Sequence, residues 1–491
     1  MNKILKEKDY KNIFHFFSEI SAIPRGSYNN TAISNYLVDF AKSRGLEYIQ
    51  DEYENVVIIK EASKGYEEAP PIILQGHMDM VCEKTKESTH DFLRDGIELI
   101  VDGDYLHGNN TTLGGDNGIA IAYALAFLDD DNLKHPRLEV IITTDEEVGM
   151  EGVIGLDVSN LKGKYLINMD SEDEGVLLTS SAGGLTGSCE IPIKRVRQEG
   201  LKIQVGVNNL KGGHSGADID KNRTNAIKLL SRLLFELKKS FDYSLISIEG
   251  GQKDNVIPRD AYAILCIEKE SFEDFEKGLE TLSNKYTKEL EISEADLSID
   301  HKVFEEDEFE CLHPTSFEKV LLYLINTPNG VQKMSSAIPG LVESSLNMGV
   351  LRINEEKALF RFSVRSAINS YKQFISDKLE YLAEFLGGEY TIKGQYPAWE
   401  YKLESPLRDH MSKVYQEVYG KKPKFEAIHA GLESSFFSGK IPDVDIVALG
   451  PNMQDIHSPQ ERLNIPSAIR VYQYLEKVIE GMNHFNEDSD R

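Results

Sequence analysis

The sequence has few cysteines and no long apolar run. Its four cysteines include no CxxC pair, so the sequence predicts neither a disulfide framework nor a thiolate zinc site. No stretch approaches the ~20 apolar residues that a membrane span needs, and the N-terminal segment MNKILKEKDYKNIFHFF has no signal-peptide pattern. We therefore expect a cytoplasmic protein without a membrane anchor.

Positive charge is also scarce. The chain has 54 Lys and Arg residues against 81 Asp and Glu residues, which gives a formal net charge of -27. Such a charge repels phosphate backbones and anionic lipid surfaces. Nucleic acid and acidic membranes are thus excluded as expected partners, while the acidity by itself indicates only solubility.

The length of the chain predicts more than one domain, because 491 residues exceed the roughly 250–300 at which one hydrophobic core stops growing. Helical and strand patterns alternate at both ends of the chain, whereas the centre combines strands with charged helices. The sequence predicts an α/β domain formed by residues 1–186 and 399–491, with a doubly wound, mostly parallel sheet. Residues 187–398 form a predicted α+β insert.

Polar side chains follow the predicted strands of the α/β domain. Apolar runs at 70–80, 137–147 and 164–170 are typical of strands buried on both faces of a parallel sheet. Ligands bind at the carboxyl edge of such sheets. The predicted strand ends, the start of a predicted helix and the segment after the last strand supply the candidate residues, which are His77, Asp79, Asp116, Asp145, Glu146, Glu147, Asp170 and His457.

Each of these residues also has an ordinary structural explanation. An Asp at a strand end is usually a turn residue, and Asp116 before a helix is a typical N-cap. Adjacent acids such as Glu146 and Glu147 usually form a solvated turn. Here, however, they close an apolar run, where buried charge is costly without a cation. The combination of segments therefore favours a metal site.

The donor types indicate Zn²⁺, with Mn²⁺ or Co²⁺ as possible substitutes, and one carboxylate can bridge two ions about 3.5–4 Å apart. Three carboxylates, on Asp116, Glu147 and Asp170, together with a hydroxide would neutralise two divalent ions. Glu146 then remains as the base for the attacking water. Asp79 would orient the His77 imidazole.

The family resemblance is carried by seven segments, QGHMDMVCEK, TTLGGDNGIAIAYALA, TTDEEVGMEG, NMDSEDEG, GGHSGADI, HAGLESS and GPNMQDIHSPQERLNI. In this order they resemble the aminoacyl-histidine dipeptidase, or cytosolic non-specific dipeptidase, branch of the dizinc aminoacylase and carboxypeptidase family. The resemblance implies hydrolysis of dipeptides with two zinc ions per chain. It assigns His77 and Asp170 to one zinc and Glu147 and His457 to the other, with Asp116 as the bridge and Glu146 as the general base.

The resemblance also implies that the insert is a lid that completes the substrate site. His214 would polarise the scissile carbonyl, although a turn histidine is the ordinary explanation without the family. Asn255 and Arg365 would contact the far end of the substrate, Arg365 as a fork for a C-terminal carboxylate. A structural salt bridge is the alternative for Arg365. Gly431 would line the pocket for the C-terminal side chain.

A homodimer through the lid is a further expectation from the resemblance, with His214 serving its own chain's site or the partner's. Gly183 and Gly184 form a plausible hinge. The chain departs from the family pattern at Ser434 and Ser435, where Cys-Gly is expected, and at Gln460. Two other functions stay open, which are an N-acyl amino acid deacylase or other small amidohydrolase on the same scaffold and a metal-dependent binding protein without catalysis.

Overall fold

The computed structural model describes residues 3–485, which fall into two compact units. The first contains the chain up to Ser180, Tyr401–Ala427 and the chain from Leu432 onward, and the second contains Ser181–Glu400 and Ile428–Gly431. Among the described residues, no helix has both the length and the apolar character of a membrane span.

The helices of residues 3–485 are distributed over both units. In chain order they are α1 (Lys3–Glu7), α2 (Ile13–Ser21), α3 (Thr31–Ser43), α4 (Gly115–Asp129), α5 (Glu151–Gly155), α6 (Ala226–Leu237), α7 (Phe272–Leu290), α8 (Pro314–Asn326), α9 (Asn369–Phe385), α10 (Pro406–Tyr419), α11 (Ser434–Lys440) and α12 (Ile465–Gly481).

The first strands of the chain are β1 (Glu47–Gln50), β2 (Val56–Lys60), β3 (Ile72–His77), β4 (Leu99–Asp102), β5 (Tyr105–Gly108), β6 (Leu138–Thr143), β7 (Tyr165–Asn168) and β8 (Val176–Ser181). The next are β9 (Gly183–Pro192), β10 (Arg195–Asn208), β11 (Gly213–His214), β12 (Ser244–Gly250), β13 (Val256–Ile257), β14 (Ala261–Ile267), β15 (Ser298–Leu312), β16 (Gly330–Met334), β17 (Val342–Ile353), β18 (Lys357–Ser366) and β19 (Glu389–Tyr396). The last are β20 (Lys424–Ile428), β21 (Asp445–Ala448), β22 (Met453–Gln454) and β23 (Arg462–Asn464).

The first unit is built around an eight-stranded sheet in the order β1-β2-β6-β3-β7-β21-β8-β20. Its four central strands, β6, β3, β7 and β21, are parallel, while β1, β2 and β8 pair antiparallel with their neighbours. The predicted α/β fold is confirmed, and the described parallel pairs lie in this centre.

Every residue of β3 and of β6 is buried. This burial explains why both strands read as continuous apolar runs rather than as alternating patterns. Helix α4 packs on β3, and α12 packs on α4. The parallel centre of the sheet is therefore buried, and its strands end together at one edge.

The second unit contains a nine-stranded sheet in the order β15-β10-β14-β12-β17-β18-β9-β19, with β16 paired to β17. Its described pairs are antiparallel. Helices α6, α7, α8 and α9 pack on this sheet and share one hydrophobic core with it. The unit is thus α+β, as predicted for the insert.

The glycine pair proposed as a hinge lies inside a strand. Gly183 and Gly184 belong to β9 and pair with Ser366 and Arg365 of β18. A Cβ atom on Gly184 would lie 2.6 Å from the Tyr396 ring, and one on Gly183 would lie 2.5 Å from the backbone that follows Tyr396. Close packing therefore requires glycine at both positions, and the hinge stays a prediction.

Candidate metal centre

The parallel strands of the first unit deliver three groups of polar side chains to one edge. Strand β3 ends at His77, β6 is followed by Glu146 and Glu147, and β7 is followed by Asp170. Because neighbouring parallel strands end at the same side of a sheet, these side chains converge. Asp116, in the first turn of α4, and His457, after β22, complete the set.

Two groups of potential ligands share one carboxylate. His77, Asp116 and Asp170 form the first group and Asp116, Glu147 and His457 the second, with the ligand atoms of each group within 4.8 Å of one another. Asp116 is therefore common to two groups of three potential ligands each.

The two oxygens of Asp116 face different histidines. Oδ1 lies 3.1 Å from Nε2 of His77, and Oδ2 lies 3.1 Å from Nε2 of His457. The same nitrogen of His77 lies 3.8 Å from Oδ1 of Asp170, and that of His457 lies 3.1 Å from Oε2 of Glu147. This is the arrangement expected of a carboxylate that bridges two ions.

Asp79 holds the opposite nitrogen of His77. Nδ1 of His77 lies 3.2 Å from Oδ1 of Asp79 and 3.1 Å from its carbonyl oxygen. With the Nδ1 proton donated to Asp79, Nε2 presents its lone pair toward Asp116 and Asp170. The structure thus brings Asp79 to the position predicted for a partner that orients the imidazole.

Asp79 also positions the turn that carries the predicted base. Its carboxylate accepts hydrogen bonds from the backbone N–H groups of Glu146 (3.1 Å) and Glu147 (3.3 Å) and from the Ser27 hydroxyl (2.8 Å). One buried carboxylate therefore fixes both an imidazole and the adjacent acidic turn.

Glu146 lies in this turn beside the ligand groups, and its carboxylate forms a further cluster with His77 and Glu147. The pKa of Glu146 is raised to about 8, chiefly by burial and also by the charges of Glu433, Glu147 and Asp116, while His77 opposes them. A carboxyl group whose pKa lies near neutrality can both accept and return a proton.

The remaining electrostatics indicate missing positive charge. Hydrogen bonds to Asp116 and Glu147 raise the pKa of His457 to about 11. Burial raises the pKa of Asp170 well above its ordinary value, and the Asp116 charge adds to this effect. Oε1 of Glu147 is buried without a hydrogen-bond partner. This excess of negative charge favours bound cations, and the imidazole and carboxylate donors fit two divalent ions of the zinc type.

A buried glutamate that the sequence did not single out connects the strands beneath this edge. Glu433 accepts hydrogen bonds from Nε2 of Gln75 on β3 (2.5 Å) and from the hydroxyl of Thr143 on β6 (2.6 Å). Gln75 in turn accepts from Asn168 on β7 (2.6 Å), whose side-chain oxygen accepts from the N–H of Asp170. The HAGLE motif contains Glu433, but its partners lie far away in sequence.

In the second unit, His214 has a defined tautomer. Its Nδ1 accepts hydrogen bonds from the backbone N–H groups of Gly216 (3.2 Å) and Ala217 (3.1 Å), so the ring proton lies on Nε2. Burial lowers the pKa of His214, as does the charge of Arg365. Asn255 is adjacent, since its carbonyl accepts from the N–H of Ser215. His214 is therefore a neutral hydrogen-bond donor.

Arg365 and Gly431 both lie next to Tyr396. Nη1 of Arg365 lies 3.1 Å from the hydroxyl of Tyr396, and a Cβ atom on Gly431 would lie 2.9 Å from the ring of Tyr396. No carboxylate pairs with Arg365 among the described ion pairs of residues 3–485. The guanidinium is therefore available to an anionic ligand, while Tyr396 is a contact that the sequence did not indicate.

His429 is a further buried side chain that the sequence did not predict. Its Nε2 lies 2.7 Å from the hydroxyl of Ser345. Burial and the Arg365 charge lower the pKa of His429 to about 3. Nearby in sequence, Ser434 and Ser435 are buried in the first turn of α11.

A family model described as peptidase family M20/M25/M40 matches residues 73–481. The chain is 34% identical over 469 residues to the cytosol non-specific dipeptidase of Escherichia coli (strain K12). The matched region covers 95% of this chain and 96% of the relative. The crystal structure of aminoacylhistidine dipeptidase from Vibrio alginolyticus matches with a TM-score of 0.90 at 33% identity, over 96% of this chain and 98% of that one.

At lower identity, aminopeptidase PepT from Bacillus cereus matches with a TM-score of 0.55 at 15% identity, over 97% of this chain and 99% of that one, which shows a common fold. The family match extends over most of the chain and includes every ligand of the two clusters that share Asp116. The chain therefore belongs to peptidase family M20/M25/M40.

Proposed function

We propose that this protein is a two-metal dipeptidase that hydrolyses the amide bond of free dipeptides in the cytoplasm. The observation that carries the proposal is the carboxylate of Asp116, whose two oxygens each face a separate ligand group. The substrate class and the location are supported by the relatives that are 34% and 33% identical over nearly the whole chain, a cytosol non-specific dipeptidase and an aminoacylhistidine dipeptidase.

In this proposal His77 and Asp170 would hold one zinc ion, Glu147 and His457 would hold the other, and Asp116 would contribute to both sites. Mn²⁺ or Co²⁺ can substitute, because the donors are nitrogen and carboxylate oxygen. When bound, the ions supply the positive charge that acidifies a water molecule and polarises a carbonyl group.

Glu146 is the proposed general base. Its carboxylate accepts a proton from the attacking water and then transfers that proton to the amine that leaves. The hydrogen bonds from the N–H groups of Glu146 and Glu147 to Asp79 hold the turn in place for this transfer. Asp79 therefore acts on His77 and on the base at the same time.

The insert predicted at residues 187–398, which lies within the second unit, is the proposed lid. His214 donates its Nε2 proton to the carbonyl oxygen of the scissile bond, in its own chain or in a partner, and is suited to this role because its Nδ1 is occupied by backbone donors. Arg365 and Asn255 contact the far end of the substrate, Arg365 as a fork for the C-terminal carboxylate, and Gly431 lines the pocket for the C-terminal side chain.

Self-association through the second unit is part of the proposal. Helix α9 exposes Phe374, Tyr381 and Phe385, with 51%, 74% and 76% of their surface accessible. These positions recur at helical spacing, so the side chains form one apolar stripe. Replacing Phe385 by Glu is expected to shift the mass measured by light scattering from dimer to monomer, and an unchanged mass would contradict this interface.

Hydrolysis of a dipeptide panel tests the proposed function. Zinc-loaded wild type should cleave free dipeptides but not their N-acetylated forms, whereas the reverse preference would indicate a deacylase. The Glu146→Ala variant should keep two zinc ions and lose about 10²–10⁴-fold in turnover. A wild-type protein that binds two ions and cleaves no member of the panel would favour a binding protein instead.

A further inference from the structure

The loop that carries Asp116 is held by a buried carboxylate. Glu461 accepts hydrogen bonds from the N–H groups of Leu113 (2.7 Å), Gly114 (3.0 Å), Gly115 (2.7 Å) and Asp116 (3.3 Å). Only 2% of the surface of Glu461 is accessible. Four successive backbone donors thus converge on one carboxylate, an arrangement that forms strong, charge-assisted hydrogen bonds.

A buried guanidinium holds the same loop through its carbonyl side. Arg25 donates through Nη2 to the carbonyl of Gly114 and through Nη1 to the carbonyls of Met78 (3.0 Å) and Asp79 (3.2 Å). Its side chain is 2% accessible. Arg25 therefore connects the Asp116 loop to the backbone that directly follows His77.

The glycines of this segment make room for both charged groups. A Cβ atom on Gly114, which has a φ of +68°, or on Gly118 would lie 2.5 Å from Nη2 of Arg25. A Cβ atom on Gly115 would lie 3.2 Å from Oε1 of Glu461. The glycines of the TTLGGDNG motif thus leave the space that the Arg25 guanidinium and the Glu461 carboxylate occupy.

The two charges offset one another. Burial lowers the pKa of Arg25, and among its charged neighbours Glu461 opposes this effect most strongly, followed by Asp79 and Asp116. A buried charge without such a partner is costly, so the pair fixes the loop at a smaller cost than either charge alone.

The segment that supplies Glu461 also supplies a metal ligand. His457 lies four residues earlier, and its Nε2 lies 3.1 Å from Oδ2 of Asp116. The side chain of Asp116 is therefore contacted by His457 while its backbone N–H is held by Glu461. One short segment sets both the position of the bridge and that of a neighbouring ligand.

We propose that Arg25 and Glu461 are positioning residues for the carboxylate of Asp116. Glu461 holds the loop at 113–116 through its N–H groups, and Arg25 holds it through the carbonyl of Gly114. The two oxygens of Asp116 are thereby directed at two ion sites before any ion binds. This inference rests on the proposed two-metal function and concerns the affinity and spacing of the ions rather than the substrate.

The chain contains a matched control for a purely structural role. Glu139 is also fully buried, accepts hydrogen bonds from the N–H groups of Lys162 (2.9 Å) and Gly163 (2.9 Å), and pairs with Nε of Arg137 (2.9 Å). It lies near the start of β6, at the opposite end of the strand from the candidate metal centre. Glu139→Gln therefore removes a comparable interaction away from the ions.

The test is titration of metal-free protein with Co²⁺, with calorimetry to count the ions and measure affinity and with low-temperature electron paramagnetic resonance to detect magnetic coupling between them. Wild type should bind two coupled Co²⁺ ions. Glu461→Gln should weaken the binding of at least one ion by about 10- to 100-fold and change or abolish the coupling. Glu139→Gln should keep both affinities and the coupling, even if its thermal unfolding temperature falls.

Two results would overturn the inference, namely wild-type Co²⁺ affinity and coupling in Glu461→Gln, or an equal loss of affinity in Glu139→Gln. If Glu461→Gln does not fold, Arg25→Lys is judged by the same criteria, because lysine keeps the charge and loses the fork that spans the three carbonyls. A wild-type protein that binds fewer than two ions would instead contradict the proposed function itself.

Discussion

The histidines of the candidate metal centre, His77 and His457, and two histidines of the second unit, His214 and His429, have opposite electrostatic surroundings. In the first unit, contacts with carboxylates raise the pKa of His457 to about 11 and that of His77 well above its ordinary value despite burial. In the second unit, burial and Arg365 lower the pKa of His214 and that of His429. The ligand groups of the first unit therefore favour cations, whereas the charge of Arg365 in the second unit favours the neutral form of His214 and His429.

This difference indicates a division of chemical roles. Within residues 3–485, all three groups of potential metal ligands lie in the first unit. In the second unit, His214 is a hydrogen-bond donor and Arg365 a cation, chemical types that suit a carbonyl oxygen and a carboxylate. Changes to the ligand groups of the first unit should thus alter metal binding and turnover, whereas changes to His214 or Arg365 in the second unit should alter carbonyl polarisation or substrate binding without loss of the ions.

The largest expected effect comes from removing the shared charge. Asp116→Asn should lose at least one of the two ions and reduce turnover by about three orders of magnitude or more, because metal stabilisation of the transition state contributes several kcal/mol. Metal analysis and the rate of dipeptide hydrolysis measure the two effects.

Asp130→Asn provides the control for Asp116→Asn. Asp130 directly follows the other end of α4, where it pairs with Lys11 (2.7 Å). This variant should retain both ions and its turnover. Full metal content and wild-type turnover in Asp116→Asn would remove the basis for the division between the units.

The ligand edge could be predicted from sequence because each ligand follows a local pattern. Runs such as IILQGH and LEVIIT identify buried parallel strands, and the parallel arrangement then determines where His77 and Glu147 must lie. The shared edge follows from strand direction alone.

The groups behind this edge could not be predicted in the same way. Glu461 contacts the Asp116 loop from about 345 positions away, and Glu433 contacts Gln75 across 358 positions. A buried glutamate in a loop has no periodic signal, and its role depends on which backbone N–H groups or side chains it meets in the fold. The roles of Arg25 and His429 could not be predicted from the sequence for the same reason.

A smaller effect is expected from Arg365→Lys. Lysine keeps the charge but loses the fork, so binding of the substrate carboxylate should weaken, with a fall of about 10- to 100-fold in kcat/KM. The loss should appear in KM, and both metal ions should remain bound. Steady-state kinetics on a free dipeptide and on its C-terminal amide measure the effect, because the amide should be insensitive to the change.

Arg361→Lys is the matched control, since Arg361 lies on the same strand β18 with an exposed side chain. It should leave both kinetic constants unchanged. Loss of a metal ion in Arg365→Lys, or an equal loss of kcat/KM for the dipeptide and its amide, would show that Arg365 has a different role.

The smallest expected effect concerns stability and pH. Burial together with Arg365 and His214 lowers the pKa of His429 from 6.5 to about 3, while its Nε2 lies 2.7 Å from the Ser345 hydroxyl. Between these two values the unfolded chain binds a proton that the folded protein excludes. The free energy of unfolding should therefore fall as the pH falls through this window, by at most about 1.4 kcal/mol per pH unit from this one group.

His429→Gln can keep a hydrogen bond to Ser345 without titrating, so its denaturant midpoint should depend less steeply on pH than that of wild type. Parallel pH profiles for the two proteins would mean that His429 is protonated in the folded state, and the electrostatic contrast between the units would then rest on His214 alone.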